Sequence, residues 1–368
     1  MRHAVGCAAG ARLFPAAAMA SLGAGPAPKA VVVTFGGGAR DAETFAPEGQ
    51  ANIPLLLSQL IPQATFYTQV INRGILGHYV ATASLATGVY ERFNNFAATQ
   101  PENPTVFEYL RRDLKRPAED AWVVAPSNGF GGIGESNNRL YGTGLGARVI
   151  LPKHLLAAAM RGTTGGAMTE HMLRDNYETP LFDPSPTGSI SEQDLHRTAE
   201  LLDLSIEDFR AHAATLNSPD ELSFYIARQI MRRAAPSLLW ITLHDIDIAH
   251  SGAFSLYLEG IRRSDRLCAE IWRTIQSEPE YKDRTTLYVL PDFGRDSDED
   301  SGGNGFQHHR TGDPLSRTTW MLVLGPGVRQ NVVIDRPVDS LDLVPTLAQR
   351  LGFQARFARG TPLTEVLS

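Results

Sequence analysis

The chain has 368 residues, 43% of them hydrophobic, a formal net charge of -6 and an isoelectric point near 5.9. That length can bury one large core, and the acidic balance, with no basic run, excludes a protein built mainly to hold nucleic acid or an anionic membrane surface. The two cysteines, Cys7 and Cys268, are too few for a disulfide framework and neither sits in a C-x-x-C pair, and no segment approaches the ~20 apolar residues of a membrane span.

Residues 1–29 are rich in Ala, Gly and Pro, open on Met1-Arg2-His3 and carry the small-residue pattern Ala18-Met19-Ala20. They read as a leader that favours an exported or periplasmic protein, although Arg12 and Pro15 interrupt the apolar region and leave a cytoplasmic location open. Lys29 to Phe35 (KAVVVTF) predicts a first core strand, ending at Gly36-Gly37-Gly38. These glycines fit neither G-x-G-x-x-G nor a P-loop. Arg40, just beyond, is a candidate to clamp an oxyanion or else a surface arginine paired with Asp41 or Glu43.

Asn52 to Leu60 predicts a helix and Thr65 to Val70 a strand. The strand runs into Asn72 to Tyr79, followed by a small-residue helix from Val80 to Ala86. His78 stands at the entrance of that helix, where free backbone N–H groups favour an anion. Thr105 to Leu114 predicts a helix, Ala121 to Ala125 a strand, and the Gly- and Asn-rich Ser127 to Gly146 a long loop. From about residue 151 to 233 the pattern is helical, with a Ser cap, a Pro and a Glu in Ser218-Pro219-Asp220-Glu221. This block is read as a helical insertion.

In Ser237 to Gly252 (SLLWITLHDIDIAHSG) an apolar run gives way abruptly to Asp245, Asp247 and His250, as a buried parallel strand does when it ends at a polar site. Ligands in open α/β sheets sit beyond the carboxyl ends of the strands, so these side chains can converge on one ion. Ala253 to Ile275 predicts a long helix with a core face, and Thr285 to Leu290 a strand ending in Pro291-Asp292-Phe293-Gly294-Arg295. An acidic loop then reaches His308-His309. Thr318 to Leu324 predicts a strand closed by Gly325-Pro326-Gly327, and Asp339 to Phe353 the last helix. The alternation predicts an α/β fold with a doubly wound, mostly parallel sheet flanked by helices, spanning residues 30–368 with the insertion at 151–233.

Four of these segments, in the expected order, resemble the alkaline phosphatase superfamily, which takes in nucleotide pyrophosphatase/phosphodiesterases, phosphopentomutases and sulfatases. They are the strand ending at Asp245 to His250, the Pro291 to Gly294 stretch, the late histidines, and the final helix with its preceding Gly-Pro-Gly. The resemblance implies two metal ions, commonly zinc or manganese, around a Thr or Ser nucleophile. One ion is expected on the Asp and His of a D-x-x-x-H or D-x-x-x-x-H stretch plus a late His. Asp245 with His250 has the longer spacing, Asp247 competes for the role, and His308 or His309 completes the set.

The other half of the implied site departs from the family pattern. Gly36 stands where the first strand usually ends in an Asp, and Asp292-Phe293 where an Asp-His pair is usual, so that Asp292 alone survives as a candidate ligand. Gly74 to Tyr79 keeps the His and Tyr of the family's T-x-P-N-H-Y but loses its hydroxyl, and neither cysteine lies in C-x-P-S-R. The expectation is a hydrolase of a small phosphate-type or sulfate-type ester that uses one divalent ion and a metal-activated water. Arg40 or Arg295 would face the oxyanion in place of the second ion, and His78 would be acid, base or anchor. The alternative is a degenerate relative that binds an anionic ligand or partner without turnover.

Overall fold

The computed structural model describes residues 27–366 apart from 96–98, 142, 163–165, 167–172, 174–190 and 300. All but the last three residues of the expected leader therefore lie outside the described residues. Among the described residues eight strands form one sheet: β1 (Lys29–Phe35), β2 (Ala64–Ile71), β3 (Ala121–Val124), β4 (Arg148–Ile150), β5 (Leu238–Leu243), β6 (Thr285–Leu290), β7 (Thr318–Leu324) and β8 (Val332–Asp339). Their order is β4-β3-β5-β1-β6-β7-β2-β8. β7 runs against its neighbours β6 and β2, and every other pairing is parallel.

The central strands β1, β5 and β6 are buried at every residue because helices cover both faces. Alternate side chains serve the two layers: Val31, Val33, Leu239 and Ile241 join one core, Ala30, Val32, Leu238 and Trp240 the other. The first core also takes in Leu155, Leu202, Phe209 and Leu222, so the helices Pro152–Ala159, Glu192–Leu201, Ile206–Ala213 and Pro219–Arg233 share apolar contacts with the sheet. No helix among the described residues is long and apolar enough to cross a membrane.

Two local expectations change, and two strands are added. Asn52 to Leu60 is not one α-helix but a 3₁₀ turn at Gln50–Asn52, a wide π turn at Leu56–Leu60 and a 3₁₀ turn at Ile61–Gln63. Pro62 has no N–H to continue the α pattern, and Asp265 takes the N–H groups of Leu55 and Leu56. The helix expected from Val80 begins at His78 (His78–Thr87), and β4 and β8 stand at the sheet edges. Edge strands escape the core pattern: β4 has only three residues, and β8 carries Asp335, Arg336 and Pro337 in its run.

Register positions the site. Phe35 pairs with Leu243 and Thr34 with Leu290, so β1, β5 and β6 release their chains along one line. The first of these exits is crowded. A Cβ on Gly36 would stand 1.8 Å from the Leu243 carbonyl oxygen, and one on Gly37, at φ +93, would stand 2.5 Å from the Asp247 nitrogen. Only glycine lets the β1 loop lie flat against the turn after β5.

Candidate metal centre

The turn after β5 is a 3₁₀ segment, Asp245–Ser251. With three residues per turn, side chains three apart eclipse, so Asp247 and His250 share a face and Asp245 does not. Asp245 points instead to Arg263 on the helix Phe254–Ser277, at 2.7 Å. A similar division separates the late histidines. His308 has extended backbone, which sends neighbouring side chains to opposite sides; it is exposed, while His309 turns inward.

Four side chains, His78, Asp247, His250 and His309, bring ligand atoms within 4.8 Å of one another. His78 is buried, with Nδ1 2.7 Å from Asp292 Oδ2 and Nε2 2.9 Å from Asp247 Oδ1. A carboxylate only accepts, so a ring held between two of them donates from both nitrogens and is an imidazolium. Burial opposes that charge, but Asp247 and Asp292 outweigh it and raise the His78 pKa to about 9. Asp247 is held well below the usual carboxylate range: burial would raise it, and the charge of His78 with the hydrogen bonds of His250 and His78 more than reverses this.

His309 has the opposite character. Its Nδ1–H donates to the Leu76 carbonyl at 2.8 Å, which fixes the tautomer and leaves the lone pair on Nε2. Burial first, then the nearby positive charges of His78 and Arg295, push its pKa down to about 2. The ring stays neutral. Its Nε2 lies 2.9 Å from His250 Nε2, which is itself 3.1 Å from Asp247 Oδ1. Two imidazole nitrogens that close need a proton or a cation between them.

A divalent ion fits this cluster. The donors are imidazole nitrogens and a carboxylate, the set that first-row transition ions accept. Asp247 Oδ2 is buried and accepts no hydrogen bond from the described residues, with His244 Nε2 standing 3.5 Å away. A buried carboxylate oxygen without a donor is costly, and a cation would satisfy it.

The remaining expected residues are placed as follows. Asp292 joins the cluster through His78. Arg295, fully buried, donates to Asp247 Oδ1 at 2.9 Å and to the carbonyls of Gly38 and Phe306 at 3.0 and 3.1 Å. Arg40 donates to Glu43 at 2.9 Å and Asp298 at 2.6 Å, outside the cluster. Two residues passed over in the sequence are also present. The His244 ring meets His78 edge-on at 4.8 Å, and Phe293 lies against both His78 and His309 at 4.6 and 4.7 Å. His244 could have been found as the first polar residue beyond the β5 run; Phe293 stood out only as a missing histidine.

No protein-family model matches this sequence, and no curated protein sequence matches it. Among solved structures the chain is similar to a protein in the alkaline phosphatase superfamily from Vibrio parahaemolyticus, with 13% identity and a TM-score of 0.53 over 94% of this chain and 71% of that one. It is similar to the phosphonate monoester hydrolase SpPMH from Silicibacter pomeroyi, with 13% identity and a TM-score of 0.55 over 92% and 76%. The alkaline phosphatase PafA gives 12% identity and a TM-score of 0.54 over 94% of this chain and all of that one, 100%. At these identities the likeness is one of fold.

Proposed function

We propose that this chain, which has the fold of the alkaline phosphatase superfamily, is a metal-dependent hydrolase of a small anionic phosphate-type or sulfate-type ester. The observation that carries the reading is the approach of the His250 and His309 Nε2 atoms to 2.9 Å beside Asp247, with the His309 lone pair held inward by Leu76. One divalent ion, zinc or manganese by the chemistry of the donors, would be held by Asp247, His250 and His309 and would supply Lewis acidity and a water of pKa about 7. His78 has no lone pair to give while it donates to two carboxylates, so it serves as a fixed positive charge that keeps Asp247 ionised. Arg295 orients the same carboxylate from its other side. Phe293 packs against the His78 and His309 rings and would exclude water from that side of the site. The composition of the leader supports export as the setting.

A second reading, binding of an anionic ligand without turnover, draws support from a separate observation. His78 and Arg295, the cations in contact with Asp247, direct the hydrogen bonds described above to acceptors of the chain itself and not to a substrate oxyanion. The test is elemental analysis of the purified chain together with release of p-nitrophenol from a phosphate monoester, a phosphate diester and a sulfate ester, with and without zinc or manganese. Hydrolysis is expected to require metal. Stoichiometric metal without turnover of any ester would favour the binding reading, and absence of bound metal under every loading condition would end the first.

A further inference from the structure

We infer that Asp220, in the first turn of the helix Pro219–Arg233, is a positioning residue for the turn that carries Asp247 and His250. Its carboxyl group is fully buried, and its two oxygens accept one N–H each, from His244 at 2.7 Å and from Asp245 at 2.8 Å. These are the first two residues beyond β5, at the start of the 3₁₀ turn, where backbone N–H groups have no partner within their own segment. A capping group is ordinarily a neighbour in sequence; here it arrives from the helical block, more than twenty residues upstream.

Asp220 is not needed by its own helix, whose start is capped by Ser218 through the Glu221 N–H at 3.2 Å. The turn is held a second time by its side chain, since Arg263 on the Phe254–Ser277 helix grips Asp245. Two helices therefore hold the start of the turn just before Asp247 and His250, one by its backbone and one by a side chain, and the helix Pro219–Arg233 acquires a role at the centre. The inference rests on reading that cluster as a metal site. Asp265 supplies an internal control, because it makes the same pair of contacts, to the N–H groups of Leu55 at 3.0 Å and Leu56 at 2.6 Å, away from the cluster.

The experiment compares the full-length wild type with Asp220→Asn and Asp265→Asn, each stripped and then titrated with zinc against a competing chelator, with the visible spectrum of the cobalt-loaded protein and the melting temperature recorded beside it. An amide can accept one of the two N–H groups but turns a donor toward the other. Asp220→Asn is expected to weaken zinc binding about 10-fold, the lower end of the range for a lost partner of a ligand because the contact is to the backbone beside the ligands, and to alter the cobalt spectrum. Asp265→Asn is expected to lower the melting temperature comparably and leave both metal readouts as in wild type. Unchanged affinity in Asp220→Asn, or equal weakening in both variants, overturns the inference alone. A wild type that binds no metal overturns the reading of the cluster and the inference with it. Should Asp220→Asn fail to fold, Asp220→Glu keeps the carboxyl group and shifts its oxygens by one methylene; wild-type zinc affinity and cobalt spectrum in that variant overturn the inference equally.

Discussion

The two sides of Asp247 are built on opposite principles. On one side His78 joins Asp247 to Asp292, and Arg295 adds a further donor, so charges and hydrogen bonds balance within the chain. On the other side the imidazoles of His250 and His309 face each other through their Nε2 atoms, and a carboxylate oxygen has no donor among the described residues. The first side is complete among the chain's own groups, and the second is incomplete until a proton or a cation bridges the two nitrogens. The contrast teaches that one buried carboxylate can face a closed ionic network on one side and an open set of donors on the other.

The comparison breaks most severely at the incomplete side. His250→Ala is expected to reduce metal-dependent turnover and bound metal by more than about 100-fold, beyond the range for losing a mere supporting partner of a ligand, and a chelator should do the same to the wild type. Metal content by elemental analysis and ester hydrolysis read both.

Next in size is the complete side. His78→Ala leaves two buried acids without their shared cation, and breaking a buried pair in this way costs about 3 to 5 kcal/mol. His309→Ala should cost the chelated protein about 1 to 3 kcal/mol, the range for one lost hydrogen bond that leaves a partner unsatisfied. Urea unfolding of both variants with chelator present measures the difference. Equal losses would mean that the two sides are not built differently.

The pH dependence of the metal-free chain sharpens the same point. The His78 pKa is raised in the folded state to about 9, so its stabilisation is fully present below the unfolded value of about 6.5 and is lost as pH rises from there through 9. The His309 pKa is lowered to about 2, so keeping that ring neutral penalises the fold increasingly as pH falls below about 6.5. The urea midpoint of chelated protein should therefore peak near about pH 6.5. His78→Gln should flatten the alkaline limb and His309→Gln the acid limb. The smallest effect belongs to exposed His308: His308→Ala should change stability by no more than about 0.5 kcal/mol and leave zinc affinity as in wild type.

The fold was legible because it depends on the alternation of buried runs with amphipathic helices, and β1, β5, β6 and β7 lie where apolar stretches place them. Strands β4 and β8 were not, since an edge strand needs no apolar run. Within the site, the choice of Asp247 over Asp245 hinges on the pitch of one short turn, and that of His309 over His308 on which way an extended residue faces. Neither pitch nor facing leaves a compositional trace. Asp220 was legible only as part of a helix start, because its partners are backbone groups more than twenty residues away.

The crowding at Gly36 bears on the history open to this chain. With the Leu243 carbonyl 1.8 Å from where any β-carbon would go, an aspartate cannot be introduced there by a single codon change; the first and fifth strands would have to part beforehand. Backbone geometry thus closes this strand end to side chains, and substitution can alter the cluster around Asp247 far more readily than add a carboxylate at the end of the first strand.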